Sequence, residues 1–141
     1  MRFWDSSAVV PLLIQQKSSR AADSWLRADR EIAVWKLSPM EITSALWRLV
    51  REGDLHEEEA GIAEARMLEL SNAAYFVVDI DGAQSLARRL LRVHNLRAGD
   101  ALQLGAALVW AGGRPQDRTL HTLDLRLALA ARREGFHVPE G

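Results

Sequence analysis

No cysteine occurs among the 141 residues, which removes disulfides, zinc-thiolate centres, iron–sulfur clusters and thiol nucleophiles together. That absence suits a reducing compartment, and the cytoplasm is the location expected. No apolar run approaches the roughly 20 residues a membrane-spanning helix needs. The opening Met1-Arg2-Phe3-Trp4-Asp5 is too short an apolar stretch for a signal peptide, so no membrane association is expected. Charge of one sign is missing too: 18 Lys and Arg face 19 Asp and Glu, leaving a net charge of -1. Whole-molecule attraction therefore cannot draw the chain to a polyanion, and any such binding has to be local. GxGxxG and GxxxxGK[ST] are absent, which argues against nucleotide cradles. His56, His94, His121 and His137 show no clustered metal-ligand spacing, which argues against zinc. Lysine is confined to Lys17 and Lys36, so nearly all positive charge is arginine, the better side chain for bidentate phosphate contacts.

What is present is an ordinary globular composition, 48% hydrophobic and 26% charged. One domain over residues 1–141 is expected, with no repeat, linker or low-complexity tract. Strands and helices interleave. Residues 2–4 read as a first strand, followed by a helix over 8–14 in which Pro11 should lie near the start. Ser18 or Ser19 caps a second helix to residue 28, and residues 32–37 are β-rich. A third helix begins at Ser38-Pro39 and presents Ile42, Ala45, Leu46, Leu49 and Val50 on one face until Gly53. A fourth covers 57–70 and a strand covers 75–78. A fifth helix places Ala83, Leu86, Ala87, Leu90 and Leu91 inward. Residues 101–111 are apolar almost all round except for Gln103, which predicts a buried helix. Residues 118–122 read as a strand, 124–134 as a helix closed by Gly135, and 136–138 as a last strand. The order predicts an α/β sandwich on a mainly parallel sheet.

In such a sheet, ligands bind beyond the carboxyl ends of the strands. Asp5 follows the first strand, Asp124 follows the fourth in His121-Thr122-Leu123-Asp124, Glu41 lies in the first turn of the third helix, and Asp100 opens the sixth. Each Asp also suits a helix cap, and Glu41 suits a helix N-terminus. Together they pose a different problem, because four converging carboxylates repel one another unless some are protonated or a cation joins them. Mg²⁺ or Mn²⁺ prefers such oxygen ligands and supports phosphodiester hydrolysis. Arg88, Arg89, Arg92 and Arg97 precede Asp100 as a solvated face or a phosphate-contacting rim, with Arg97 best placed for the latter.

Asp5-Ser6-Ser7, Met40-Glu41-Ile42 with Ala45-Leu46, Gly99-Asp100-Ala101-Leu102-Gln103-Leu104, and Thr122-Leu123-Asp124 with Arg126-Leu127 occur in order along the whole chain. In that combination the sequence resembles the PIN domain, and more narrowly the VapC ribonuclease toxins of toxin–antitoxin pairs. The resemblance implies a PIN-like α/β/α sandwich with strand order 3-2-1-4-5 and metal-dependent endonucleolytic cleavage of RNA. It carries Asp5, Glu41, Asp100 and Asp124 over as the acidic set around Mg²⁺ or Mn²⁺, with Asp5 and Asp100 as metal ligands and Asp124 the most loosely held. Thr122 and Ser6 carry over as hydroxyl neighbours on the substrate side. Gln103 stands where many relatives have His. The implied order also puts the third strand at the sheet edge, so Asp79 and Asp81 are left out, and Asp117 is expected at the opposite end. The implied partners are an antitoxin reaching a basic group into the acids, and a second copy of the chain.

Two phosphotransfer classes fall away, since a haloacid-dehalogenase type needs an Asp where Ser7 stands and a response-regulator receiver needs a late Lys. A non-catalytic interaction module on the same fold remains as the alternative, as does a nuclease acting on other nucleic acid outside such a pair. Trp47 is rotated by about 140° from Ile42 at 100° per residue, which predicts a ring off the core face and in a protein contact. Trp25 and Trp35 are open between surface and core.

Overall fold

A computed structural model describes residues 1–141. The elements run β1 (Arg2–Trp4), α1 (Ser6–Leu13), α2 (Ser19–Ala28), β2 (Ile32–Trp35), α3 (Ser38–Arg51) and α4 (Glu57–Ala73). They continue as β3 (Tyr75–Val77), α5 (Ile80–Val93), α6 (Ala98–Ala111), β4 (Leu120–His121) and α7 (Leu125–Glu134), with a single 3₁₀ turn at Pro115–Asp117. The strands form one parallel sheet in the order β3-β2-β1-β4, in register Phe3 with Ala33 and Leu120, and Val34 with Phe76.

Side chains alternate across a strand, and here the alternation divides the core into two layers. Phe3, Ala33, Trp35 and Val77 face α5, α6 and α7, whereas Trp4, Ile32 and Val34 face α1 to α4. The result is an α/β sandwich, as the interleaved pattern predicts, with the three α/β/α layers that the resemblance implies. α6 is the buried helix, with Ala101, Leu104, Ala106 and Ala107 inside it. It lies so close to α5 that a Cβ on Gly105 would stand 2.5 Å from the Ala83 carbonyl oxygen. Glycine is needed there for space, because the neighbouring atom is backbone and cannot swing away.

Four details differ from the sequence reading. The strand expected over residues 136–138 is a single parallel bridge, Thr119 to His137, beyond β4. His137 exchanges backbone hydrogen bonds with Arg118 and Leu120, and Pro139 then has no N–H with which to continue the ladder. The fifth position of the order 3-2-1-4-5 is therefore occupied by one residue. Pro11 lies in the second turn of α1, and the helix ends two residues later. Ser18 makes no capping bond; instead, Ser19 Oγ bonds the Pro11 and Ile14 carbonyls at 2.8 and 3.1 Å where α1 ends. Asp100 does not open α6 but lies in its first turn, with Arg97 at the N-cap.

The tryptophans are mostly internal. Trp4 and Trp35 are fully enclosed and Trp25 nearly so. Trp47 is half-buried against α4, where its indole Nε1 donates to Glu64 Oε1 at 2.6 Å. The ring that helical phase leaves off the α3 core face is thus partly covered by the next helix of the same chain. No helix is long and apolar enough to cross a membrane.

Candidate active site

The carboxyl ends of β1 and β4 lie side by side, because Phe3 pairs with Leu120 and Trp4 with His121. Asp5 and Thr122 are the next residues out, and Thr122 Oγ1 donates to Asp5 Oδ2 at 2.8 Å. Ser7 Oγ donates to the same oxygen at 2.5 Å and lies 3.1 Å from Thr122 Oγ1, while accepting the Leu123 N–H at 2.9 Å. This knot of hydroxyls ties the two strand ends together. Every hydrogen bond to the Asp5 carboxylate ends on Oδ2, so Oδ1 has no protein partner.

Glu41 approaches from the first turn of α3. Ser6 Oγ donates to its Oε2 at 3.3 Å, and Gln103 Nε2 donates to its Oε1 at 3.2 Å. The same amide reaches Ser6 Oγ at 2.7 Å and Ser38 Oγ at 3.0 Å, so buried Gln103 on α6 joins α1, α3 and the acid. Its Oε1 is buried without a partner, an orphaned acceptor at the base of the site. Asp124 keeps its capping role, accepting the Leu127 N–H at 3.0 Å, and Asp5 accepts the Ser7 N–H. The cap reading and the site reading therefore hold together for both.

All four acids expected from the sequence, Asp5, Glu41, Asp100 and Asp124, line one cavity of about 460 Å³ with Ser6, Ser7 and Arg48. Thr122 stands behind Asp5, and Arg97 lines an adjoining cavity with Asp100, Asp124 and Arg126. Arg89 is withdrawn from the expected basic rim, since Glu134 holds its guanidinium at 2.6 Å and also meets His94 Nε2 at 2.7 Å. Asp79 caps α5 beside the edge strand β3, and Asp117 precedes β4 at the opposite end. The roles of Ser7, Gln103, Arg48 and Arg126 escaped the sequence reading. Ser7 lies two residues from Asp5, and Gln103 is the polar exception on an apolar helix; those positions were the signals available.

The electrostatics follow from burial and crowding. Burial raises the Asp5 carboxyl above its ordinary range, the Asp100 charge adds to this, and the Ser7 and Thr122 hydrogen bonds oppose it. Burial and then the Asp5 charge push Glu41 up to about 7. Asp100 is raised by burial and by Asp124, with Arg97 and Arg126 acting in the other direction. These are the symptoms of converging carboxylates lacking a counter-charge. No group of three His, Asp or Glu side chains is arranged so that it could hold a metal ion by itself. Mg²⁺ is commonly bound by only one or two carboxylates and retains several waters. The hard oxygen donors and the unpartnered Asp5 Oδ1 fit such an ion.

No family model matches the chain. Ribonuclease VapC45 of Mycobacterium tuberculosis (strain CDC 1551 / Oshkosh) is 33% identical over 127 residues, spanning 85% of this chain and 86% of that protein. Ribonuclease VapC49 of M. tuberculosis (strain ATCC 25618 / H37Rv) matches to the same extent, 33% over 127 residues with 85% and 86% covered. Among solved structures, PAE2754 from Pyrobaculum aerophilum superposes with a TM-score of 0.63 at 19% identity, covering 97% of this chain and 87% of the other. FitAcB from Neisseria gonorrhoeae gives 0.65 at 14% identity, with 99% and 97% covered. These two speak for the fold alone.

Proposed function

Because the chain belongs to the VapC ribonuclease family, whose PIN-like fold it shares, we propose that it is a divalent-metal-dependent endoribonuclease acting in the cytoplasm as the toxin of a toxin–antitoxin pair. The observation that carries the reading is the convergence of Asp5, Glu41, Asp100 and Asp124, from four separate elements, on one cavity. Asp5 and Asp100 would hold Mg²⁺ or Mn²⁺, with Asp124 on the outer side. Such an ion supplies activation of water and stabilisation of charge on the phosphodiester oxygens. Glu41, with its carboxyl pushed up to about 7, is the acid suited to take or give a proton near neutrality. Thr122 and Ser6 orient carboxylates, since their hydroxyls are committed to Asp5 Oδ2 and Glu41 Oε2. Arg97, exposed beside Asp100, contacts phosphate.

Cleavage of labelled single-stranded RNA in Mg²⁺ or Mn²⁺ tests this. Asp100→Asn keeps hydrogen-bonding capacity but loses ligand charge, and is expected to fold normally while cleavage falls by orders of magnitude. Near-normal cleavage by the folded variant rejects the site.

The antitoxin segment lies across the early helices and brings a basic group to the acids. The free protein is a homodimer. Light scattering at micromolar concentration should give the mass of two chains, and a monomer mass rejects that part of the proposal.

A further inference from the structure

Two cavities meet at the acids. The first, of about 460 Å³, extends from Asp100 and Asp124 to Arg48 on α3. The second, of about 490 Å³, extends from the same two aspartates to Arg97 and Arg126 at the starts of α6 and α7. Sharing that wall, they form one groove with carboxylates in its middle and guanidinium groups at either end.

The three arginines are exposed and make no hydrogen bond or ion pair within the chain. The arginine side chains engaged in such bonds or stacked on a ring are Arg2, Arg66, Arg89, Arg118 and Arg132. The ion pairs involve only the chain terminus, Arg2, Arg89 and His94 on the basic side. Each half of the groove also carries one outstanding apolar side chain, Met40 at 70% exposure in the first and Leu125 at 87% in the second. Leaving such side chains in water beside carboxylates gains nothing in the free protein. They gain contact if an apolar surface is laid against them.

A polyanionic strand that places one phosphate at the acids brings its neighbouring phosphates toward the same negative charge. Cations on both sides of the acids resolve this, and a net charge of -1 means that they have to be local. An unstacked strand additionally turns base faces outward, whereas a duplex keeps them stacked. Resting on the ribonuclease reading above, we infer that single-stranded RNA crosses the acids along this groove. Arg48 binds a phosphate on one side of the cleavage point, Arg126 and Arg97 bind one on the other, and Met40 and Leu125 meet unstacked bases.

Anisotropy of a short labelled RNA, titrated in EDTA so that it is not cut, reads the contacts directly. Arg48→Ala with Arg126→Ala is expected to weaken binding about tenfold or more at low salt, and to reduce the slope of log K against log salt by at least about 0.7, the value for one lost phosphate contact, since Arg97 still touches the phosphate that Arg126 shared. Arg88→Ala with Arg92→Ala removes the same charge from exposed positions on α5 that line neither cavity, and should keep the wild-type slope and bind within about twofold. Equal weakening by the two pairs, or an unchanged slope in the first, overturns the groove. Duplex RNA bound as tightly as the single strand overturns the unstacked-base contacts. All four substitutions are at exposed arginines, so folding, checked by thermal melting, is expected to be unaffected. The two readings separate cleanly. A wild-type protein that cuts RNA but binds it independently of Arg48 and Arg126 rejects the groove alone. One that binds through them yet cuts nothing in Mg²⁺ or Mn²⁺ rejects the ribonuclease reading and leaves the groove as a binding surface.

Discussion

Glu41 is the residue at which the chemistry of the site is most exposed to measurement. Below its ordinary value of 4.5 the carboxyl is protonated in folded and unfolded chains alike; between there and about 7 the unfolded chain releases the proton that the folded chain retains. The folded state thus binds more protons across that window, and stability contributed by the retained proton is lost as pH rises through it. Glu41→Gln removes the titration. In EDTA, the variant's melting temperature minus that of the wild type is expected to widen from pH 4.5 to about 7 and then level off, because the variant has no carboxyl at position 41 to titrate. An equal gap at the two ends of the range refutes it. His121, held down to about 4 by burial between the Trp4 and Trp25 rings, titrates in both proteins and cancels in the difference. The four acids were legible because each stands at an element boundary, where backbone geometry brings chain ends together. Gln103 was not, since an amide on an apolar helix gives no sign of reaching Ser6, Ser38 and Glu41 at once.

Among the elements, the α5–α6 pair is the one whose spacing rests on a single residue. A methyl on Gly105 meets the Ala83 carbonyl oxygen at 2.5 Å, and the two helices must move apart to admit it. Gly105→Ala is expected to cost about 1–3 kcal/mol in denaturant unfolding, the usual cost of overpacking, despite alanine's better helix propensity. A neutral or stabilising result would show that the helices separate freely. Because α6 also carries Gln103 and Asp100, such movement reaches the site. Helix phase correctly placed Ile42 and Leu46 in the core of α3, but it could not say what would cover the opposite face. Trp47 finds Glu64 on α4, a partner 17 residues away. The last strand shows the same limit: residues 136–138 have the β-rich composition, yet one bridge forms because the ladder needs a donor that Pro139 lacks.

For the molecule as a whole, the cation and the fold are expected to be linked. Carboxylates that repel in the native state are dispersed in the unfolded one, so an ion bound among them stabilises only the native state, by about 2.7 kcal/mol at ~100 times its Kd. Mg²⁺ or Mn²⁺ at constant ionic strength should raise the melting temperature of the wild type and not that of an Asp5→Asn, Asp100→Asn double variant. The same rise in both would show nonspecific binding and reject the linkage. By itself the sequence determined the interleaved α/β order, the core faces of the helices and the element ends at which acids stand, because periodicity and capping are local properties of the chain. Only the tertiary structure decided that those ends share one cavity, that Arg48 and Arg126 flank it while Arg89 is tied to Glu134, and that Trp47 is partly covered. Each of those depends on contacts between residues far apart in sequence, which strand pairing and helix packing create and no local pattern encodes.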